Sequence, residues 1–326
     1  MDKLNKDELF SLAIHLDLPA LLKLCSTSKS IQSRLCLKDE IWDYKLNNEF
    51  PDYPNYKKLY VKNKSKREIY EILYSLKVVK NILQRPENIY DLYDFKKLVI
   101  RHLKTLPGEL GVLTNLENLD LNSNGLEKIP DELGRLTNLR NLDLSHNYLK
   151  TIPKELGNLI NLRTFYLHYN GLEKLPREMG NLTNLRVLGI ARNGLTKVPK
   201  ELGNLINLEQ LDLSRNEIKE VPKELGELLN LKILSFSENQ LTKIPKELGN
   251  LVKLQKLSFY RNKLTEIPKE LGNLTDLEEL SLSYNNLREV PQEILNLGIR
   301  DFFLTGNPMT GFNEHVLPTV PKIPTF

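Results

Sequence analysis

Cysteine is the first shortage. The chain of 326 residues has two, Cys25 and Cys36, both near the N-terminus. No disulfide framework can hold the rest of the chain, and no Cys-x-x-Cys pair offers a zinc site. Both cysteines fall at apolar positions of helix-like segments, the pattern of buried packing thiols. The five histidines, His15, His102, His146, His168 and His315, show no metal-ligand spacing, so neither a metal nor another cofactor is expected. Glycines stand singly, which excludes a phosphate-cradling loop. No apolar run approaches the ~18 residues of a membrane span. The opening residues, Met1 to Glu8, are mostly polar, unlike a signal peptide. Neither sign of charge dominates: 46 Lys and Arg against 42 Asp and Glu give a net +4, too balanced for a chain built to coat nucleic acid. These shortages point to a soluble, intracellular, monomeric chain, cytoplasmic or nuclear, without catalytic machinery.

One stretch is locally basic. Between Asp52 and Glu68 stand Lys57, Lys58, Lys62, Lys64, Lys66 and Arg67 with no acid, interleaved with Tyr53, Tyr56 and Tyr60. Contact with RNA, DNA or an acidic partner is one reading. A solvated linker leading into a helix is the other, and the surrounding composition favours it.

What the chain has in abundance is repetition. Nine prolines stand 23 residues apart, from Pro107 to Pro291, and eight asparagines keep the same step from Asn124 to Asn285. One unit reads Leu139-x-x-Leu142-x-Leu144-x-x-Asn147-x-Leu149-x-x-Ile152-Pro153-x-x-Leu156. Leu142 and Leu144 alternate with polar residues, the period of a strand with one buried face. Asn147 follows the strand, where its amide can bond backbone groups of adjacent turns. Pro153 can open a short helical turn, and Gly157 suits a left-handed helix end. This unit resembles the leucine-rich repeat in its 23-residue intracellular form. The resemblance implies an α/β solenoid over residues 93–310, a horseshoe with a parallel β-sheet on its concave face and eight full repeats. Extracellular members usually carry disulfide-stapled caps, and the two cysteines cannot supply them. The end units are degenerate. The first keeps Leu98, Leu103, Leu106 and Pro107 but has Arg101 in place of asparagine. The last, with Ile299, Phe302, Leu304 and Asn307, is one residue out of step. Residues 311–326 would form a C-terminal cap and tail, with Phe312, Val316 and Leu317 over the core and prolines at 318, 321 and 324.

Residues 1–92 lack the repeat and read as helical. Helices are expected over Asp7 to His15, over Leu18 to Cys25 with Pro19 in its first turn, over Ser30 to Cys36, from a cap at Asp39, and from a Ser65-x-x-Glu68 capping box. The first fifty residues resemble an F-box through Glu8-Leu9, Ile14-x-Leu16-x-Leu18-Pro19-x-Leu21-x-x-Leu24-Cys25, Ser28-Lys29 and Trp42. The usual Leu-Pro before the first glutamate is absent, since Lys6-Asp7 precedes Glu8. Leu-Cys-x-Thr-Ser-Lys and Trp-x-x-Lys-Leu are similar to segments in proteins of large DNA viruses. The resemblance implies docking on the Skp adaptor of a cullin-type ubiquitin ligase through Leu9, Ile14, Leu18, Pro19, Leu21, Leu24 and Trp42. The plain alternative makes these residues the core of a helical cap closing the solenoid, in a scaffold or inhibitor unrelated to ubiquitin.

Residues flanking the two strand leucines should point out of the concave face, where a protein partner would sit. Tyr166, His168, Tyr169, Arg192, Asp212, Arg215, Glu238, Tyr260 and Arg261 are the candidates. Tyr and Arg are the residues most enriched at binding hot spots. Small neighbours such as Gly189, Ala191 and Ser235 should leave room for a partner's side chains. Asp120, Asp143 and Asp212 should make one end acidic.

Overall fold

The computed structural model describes residues 4–55, 64–84 and 88–310. The expected C-terminal cap residues Phe312, Val316 and Leu317, the tail prolines, His315, and Tyr56, Lys57, Lys58, Tyr60 and Lys62 of the basic stretch lie outside them. The chain divides into two compact units, Met1–Phe95 and Lys96–Phe326, described in turn.

The first unit is helical. Helix α1 (Lys6–Ala13) opens on a capping box: Asn5 Oδ1 accepts from Glu8 N, and Glu8 Oε2 accepts from Asn5 N. Helix α2 (Leu18–Ser26) is capped by Asp17 and carries Pro19 in its first turn, where no backbone donor is lost. Helix α3 (Lys29–Ile31) runs into a π-turn over Gln32–Cys36. Helix α4 (Asp39–Glu49) corrects the expected cap: Lys38 holds the cap position without a side-chain bond. Asp39 instead lies inside the first turn, where its carboxylate faces the positive end of the helix dipole. Helix α5 (Lys66–Leu83) starts from the Ser65/Glu68 capping box as the sequence predicts, and α6 (Ile89–Tyr93) follows.

The core of this unit is Leu9, Leu21, Ile31, Ile41, Trp42, Leu46, Tyr70 and Leu73, all buried. Trp42 Nε1 donates to Cys36 O at 2.9 Å, and the Tyr70 hydroxyl donates to Glu49 Oε1 at 2.9 Å. Burial, then the Glu49 carboxylate, hold the Tyr70 hydroxyl well above the usual range for a phenol. Cys25 and Cys36 are buried as expected, but they are not free thiols. Helix α2 and the π-turn bring their Cα atoms to 6.0 Å and the two are disulfide-bonded. The end of the basic stretch is structural: Lys66 pairs with Asp43 at 2.7 Å, and Arg67 pairs with Glu71 while lying over the Trp42 ring.

The second unit is a solenoid. Ten strands of three residues, from β1 (Lys97–Val99) to β10 (Asp301–Phe303), form one parallel sheet in chain order. Each strand is in register with its neighbour one repeat away, as in Leu142 opposite Phe165. Strand leucines point into the core: Leu119, Leu142, Leu188 and Leu211 are at most 2% exposed. On the opposite side the repeats make 3₁₀ turns, such as Lys154–Asn158 with Pro153 at its N-cap, and the turn after Pro291 is a short α-helix, Gln292–Leu295.

Asparagine rungs join the repeats. Asn147 Oδ1 accepts from Leu126 N of the preceding repeat, while Nδ2 donates to Leu121 O and Leu144 O, all at 3.0 Å. The same rung recurs through Asn307, 22 residues beyond Asn285, so the last unit stays in the ladder despite its shortened step. A second ladder was not anticipated. Asn138, Asn161, Asn184, Asn207 and Asn230 each donate Nδ2 to a carbonyl 24 residues earlier. Arg101, in the asparagine position of the first unit, forms a two-pronged ion pair with Asp120 at 2.7 and 2.9 Å.

Gly157 is explained by packing, not by a left-handed helix end. Among the described glycines only Gly298 and Gly306 have positive φ. A Cβ on Gly157 would stand 2.5 Å from Glu178 O of the next repeat, and its counterparts meet the same obstruction. The glycine lets consecutive 3₁₀ turns approach closely.

Candidate functional site on the inner face

Strand alternation positions the site. In each repeat the residue between the two apolar positions, such as Asp143 between Leu142 and Leu144, points away from the core because both its neighbours turn into it. Three residues past each strand the chain must turn back. Ser123, His146, Tyr169, Arg192, Arg215, Glu238, Arg261 and Tyr284 do so with φ between 52° and 58°. Glycine adopts this left-handed backbone far more readily. It is held here by inter-repeat bonds: Tyr169 N donates to Ala191 O at 3.0 Å, and Arg192 N to Ser214 O at 2.9 Å. Side chains at these turns therefore stand in one fixed row beside the sheet.

Neighbours in that row stack. The Tyr169 ring lies on His146 at 4.2 Å between centroids and 15° between planes. The Arg192 guanidinium also lies over the Tyr169 ring, 4.6 Å from its centroid. Tyr166 and His168 stack at 5.5 Å with 27° between their planes. Farther along, Arg261 lies over both Tyr260 and Tyr284, at 5.2 and 5.4 Å, and those rings meet edge to face. His146 and Tyr284 thus join the candidates. Their place in the row was the only signal in the sequence that could have picked them out.

Other candidates are committed within the molecule. Asp212 is buried, and its carboxylate accepts from Ser214 N at 3.0 Å and Ser214 Oγ at 2.6 Å, so it is not a contact residue. Arg215 and Glu238 pair with each other at 2.7 Å. The room expected at Gly189 is already filled: a Cβ there would run into His168 Nε2 and approach Tyr166. His168 Nδ1 accepts from Ala191 N at 3.1 Å. Burial pushes the His168 imidazole below its ordinary pKa, against the pull of Asp212 and Asp143, so the neutral ring is favoured. Tyr166 is raised, by burial first and by Asp143 second.

The acidic end is also reduced. The hydrogen bond from Arg101 holds Asp120 below the usual carboxylate range. Asp143 is left half-buried, accepting from Ser145 N at 2.8 Å. It borders a hollow of about 250 Å³ whose walls include Leu119, Asp120, Leu142, Thr164 and Tyr166.

In the first unit, the seven expected docking residues do not form one exposed face. Leu9, Leu18, Leu21, Leu24 and Trp42 are buried in that unit's own core, between 0% and 7% exposed. Ile14 is half-buried and Pro19 is exposed. Helical spacing puts most of these side chains on the inward stripe, where they form this unit's core.

Two family models match the repeats: leucine rich repeat over residues 114–172, and leucine-rich repeat region over residues 176–296. Among solved structures, a leucine-rich repeat protein of Leptospira interrogans is 33% identical, over 67% of this chain and 68% of that one, with a TM-score of 0.47. The chain belongs to the leucine-rich repeat family. Similar too is the ectodomain of the plant membrane receptor kinase GASSHO1/SCHENGEN3 from Arabidopsis thaliana, solved with CASPARIAN STRIP INTEGRITY FACTOR 2 (35% identity, TM-score 0.58). The plant peptide hormone receptor RGFR1, in complex with RGF2, is 33% identical with a TM-score of 0.60. Each covers 65% of this leucine-rich repeat chain, which spans only 28% and 36% of their own lengths. No curated protein matches the sequence. Among the described residues no helix is long and apolar enough to cross a membrane.

Proposed function

We propose that this leucine-rich repeat protein is a non-enzymatic interaction module that holds a protein partner on its inner face, and that its helical unit couples that partner to a Skp-type adaptor of a cullin ubiquitin ligase. The row of stacked Tyr and Arg side chains carries the first half. Repeat positions that packing leaves free are filled there with large, oriented, exposed groups. Aromatic rings in fixed stacks offer contact area with little rotamer entropy left to lose. Two similar structures were solved with their ligands, one of them a peptide hormone receptor. The second half rests on the F-box resemblance of the first fifty residues, which are helical.

Two observations favour the rival reading, a scaffold or inhibitor without ubiquitin. Most of the expected docking side chains are core residues, and the Cys25–Cys36 bridge is of a kind rare in reducing compartments. Any adaptor surface must use Ile14, Pro19 and exposed neighbours such as Leu12 and Leu37.

Co-purification of the full chain from cells, followed by mass spectrometry, tests both halves. The ligase reading expects a Skp-type adaptor in the eluate, lost on Ile14→Asp while the partner stays. Tyr169→Ala with Arg192→Ala should release the partner and leave the adaptor. An eluate with a partner but no adaptor would establish the scaffold reading instead.

A further inference from the structure

Arginines of the inner row fall into two kinds. Arg215 is neutralised by Glu238, and Arg101, near the first strand, by Asp120. Arg192 and Arg261 are different: each guanidinium sits over tyrosine and, among the described residues, no carboxylate stands within ion-pairing distance. Both are exposed. A cation–π contact uses none of the guanidinium's N–H donors, and those donors form the fork that grips a carboxylate with two hydrogen bonds. Stacking on a ring also fixes the fork before any partner arrives, which lowers the ordering cost of binding.

Their separation is set by the repeat. Arg192 and Arg261 lie three repeats apart, 69 residues in sequence. Three strand steps at ~4.8 Å give roughly 14 Å. Arg192 sits over Tyr169 of the preceding repeat, and Arg261 sits between Tyr260 of its own repeat and Tyr284 of the next. An extended peptide rises ~3.3 Å per residue, so about four or five residues bridge the two forks. Between them the face is lined by small side chains: Ala191, Ser214, Ser235, Ser237 and Ser258. Arg215 and Glu238 also lie in this interval, paired with each other, and Asp212 is buried, so the interval offers no unpaired cation for a third negative charge.

We propose that Arg192 and Arg261 are two preformed carboxylate clamps, and that the partner presents an extended segment with two acidic side chains four or five residues apart and uncharged residues between. This rests on the inner-face reading and sharpens it. A uniform polyanion such as RNA fits poorly, because between the two forks the one arginine of the row, Arg215, is already taken by Glu238 and a continuous run of phosphates would go unpaired there.

The test uses the full chain and labelled Gly/Ser peptides holding two glutamates at separations from two to eight residues, read by fluorescence anisotropy at low salt. Binding should peak at a separation of four or five. Replacing either glutamate of the best peptide by glutamine should weaken it about tenfold or more, the worth of one charge-assisted contact. Arg192→Gln or Arg261→Gln should remove the optimum, and Arg192→Lys, which keeps the charge but not the fork, should flatten it. Lys200→Gln on the outer side should change nothing. Affinity that rises with charge regardless of spacing, or equal competition by single-stranded dT12, would overturn the clamps. So would no peptide binding in a protein whose Tyr169→Ala/Arg192→Ala variant still loses its co-purified partner; the inner-face reading would survive that result.

Discussion

The repeat unit and the helical unit were written in the same twenty amino acids, yet they gave up their structures to very different degrees. In the repeats each role is stated many times. Leucine at 142, asparagine at 147 and proline at 153 recur at a fixed step, so a chance apolar residue cannot imitate the pattern. In the helical unit each role is stated once. There, apolar residues at helical spacing read equally as a core stripe or a docking stripe, and the structure assigns Leu9, Leu18, Leu21, Leu24 and Trp42 to the core. Redundancy, more than hydrophobicity, made the fold legible.

The contrast is sharpest in stability. Leu142→Ala should cost ~2–5 kcal/mol, because it opens a cavity in a continuous stack that cannot collapse around it. Leu21→Ala, equally buried in the other unit, should cost a similar amount but leave the repeat transition unmoved, since solenoid stability is mostly local. Chemical denaturation followed separately by Trp42 fluorescence and by circular dichroism distinguishes the units. A single shared transition in both variants would break the comparison.

Reduction is the next probe. The Cys25–Cys36 bond closes a loop of 11 residues' separation, for which the loop-entropy model gives about 3 kcal/mol. A reductant should lower the Trp42-reported midpoint and spare the repeats. Thiol counting under denaturing, non-reducing conditions checks the premise: two free thiols would return these residues to the packing role that their apolar positions first indicated.

Smaller effects separate framework from display within the repeats. Asn216→Ala leaves Leu195 N, Ile190 O and Leu213 O without their rung, at ~1–3 kcal/mol. Gly203→Ala forces a Cβ against Glu224 O, at ~1–3 kcal/mol of overpacking. Arg192→Ala loses one exposed cation–π contact, about 0.5–1 kcal/mol. Equal losses from Asn216→Ala and Arg192→Ala in urea melts would erase the distinction between rung and display.

Finest is a pH effect. Folding depresses the His168 pKa, so the folded state binds fewer protons there than the unfolded chain. Its contribution is complete above the unfolded value near ~6.5 and is lost as pH falls through the folded value. Wild type should therefore lose more stability than His168→Gln between pH 7.5 and 5. Identical slopes would mean that burial against Gly189 does not tune this ring.

The inner face was legible as positions but not as interactions. Alternation identified which residues face outward, and the row before each asparagine came directly from the repeat. What each side chain does there depends on its neighbour 23 residues away. No periodic rule reveals that Arg215 meets Glu238 while Arg192 meets Tyr169. Asp212 was expected outside because its position faces out. The adjacent Ser214 draws its carboxylate back onto the sheet. Gly189 was expected as open space, and the His168 ring fills it. Gly157 was assigned a backbone role because a lone sequence shows the residue after a helix but not the repeat packed against it.

Hydrogen–deuterium exchange of the full chain, alone and with its co-purified partner, tests the central claim most directly. The account expects new protection over residues 164–170 and 187–193 and around residues 258–262, with the outer 3₁₀ turns such as residues 154–158 and 200–204 unchanged. Protection confined to those outer turns, with the inner rows exchanging as before, would contradict it.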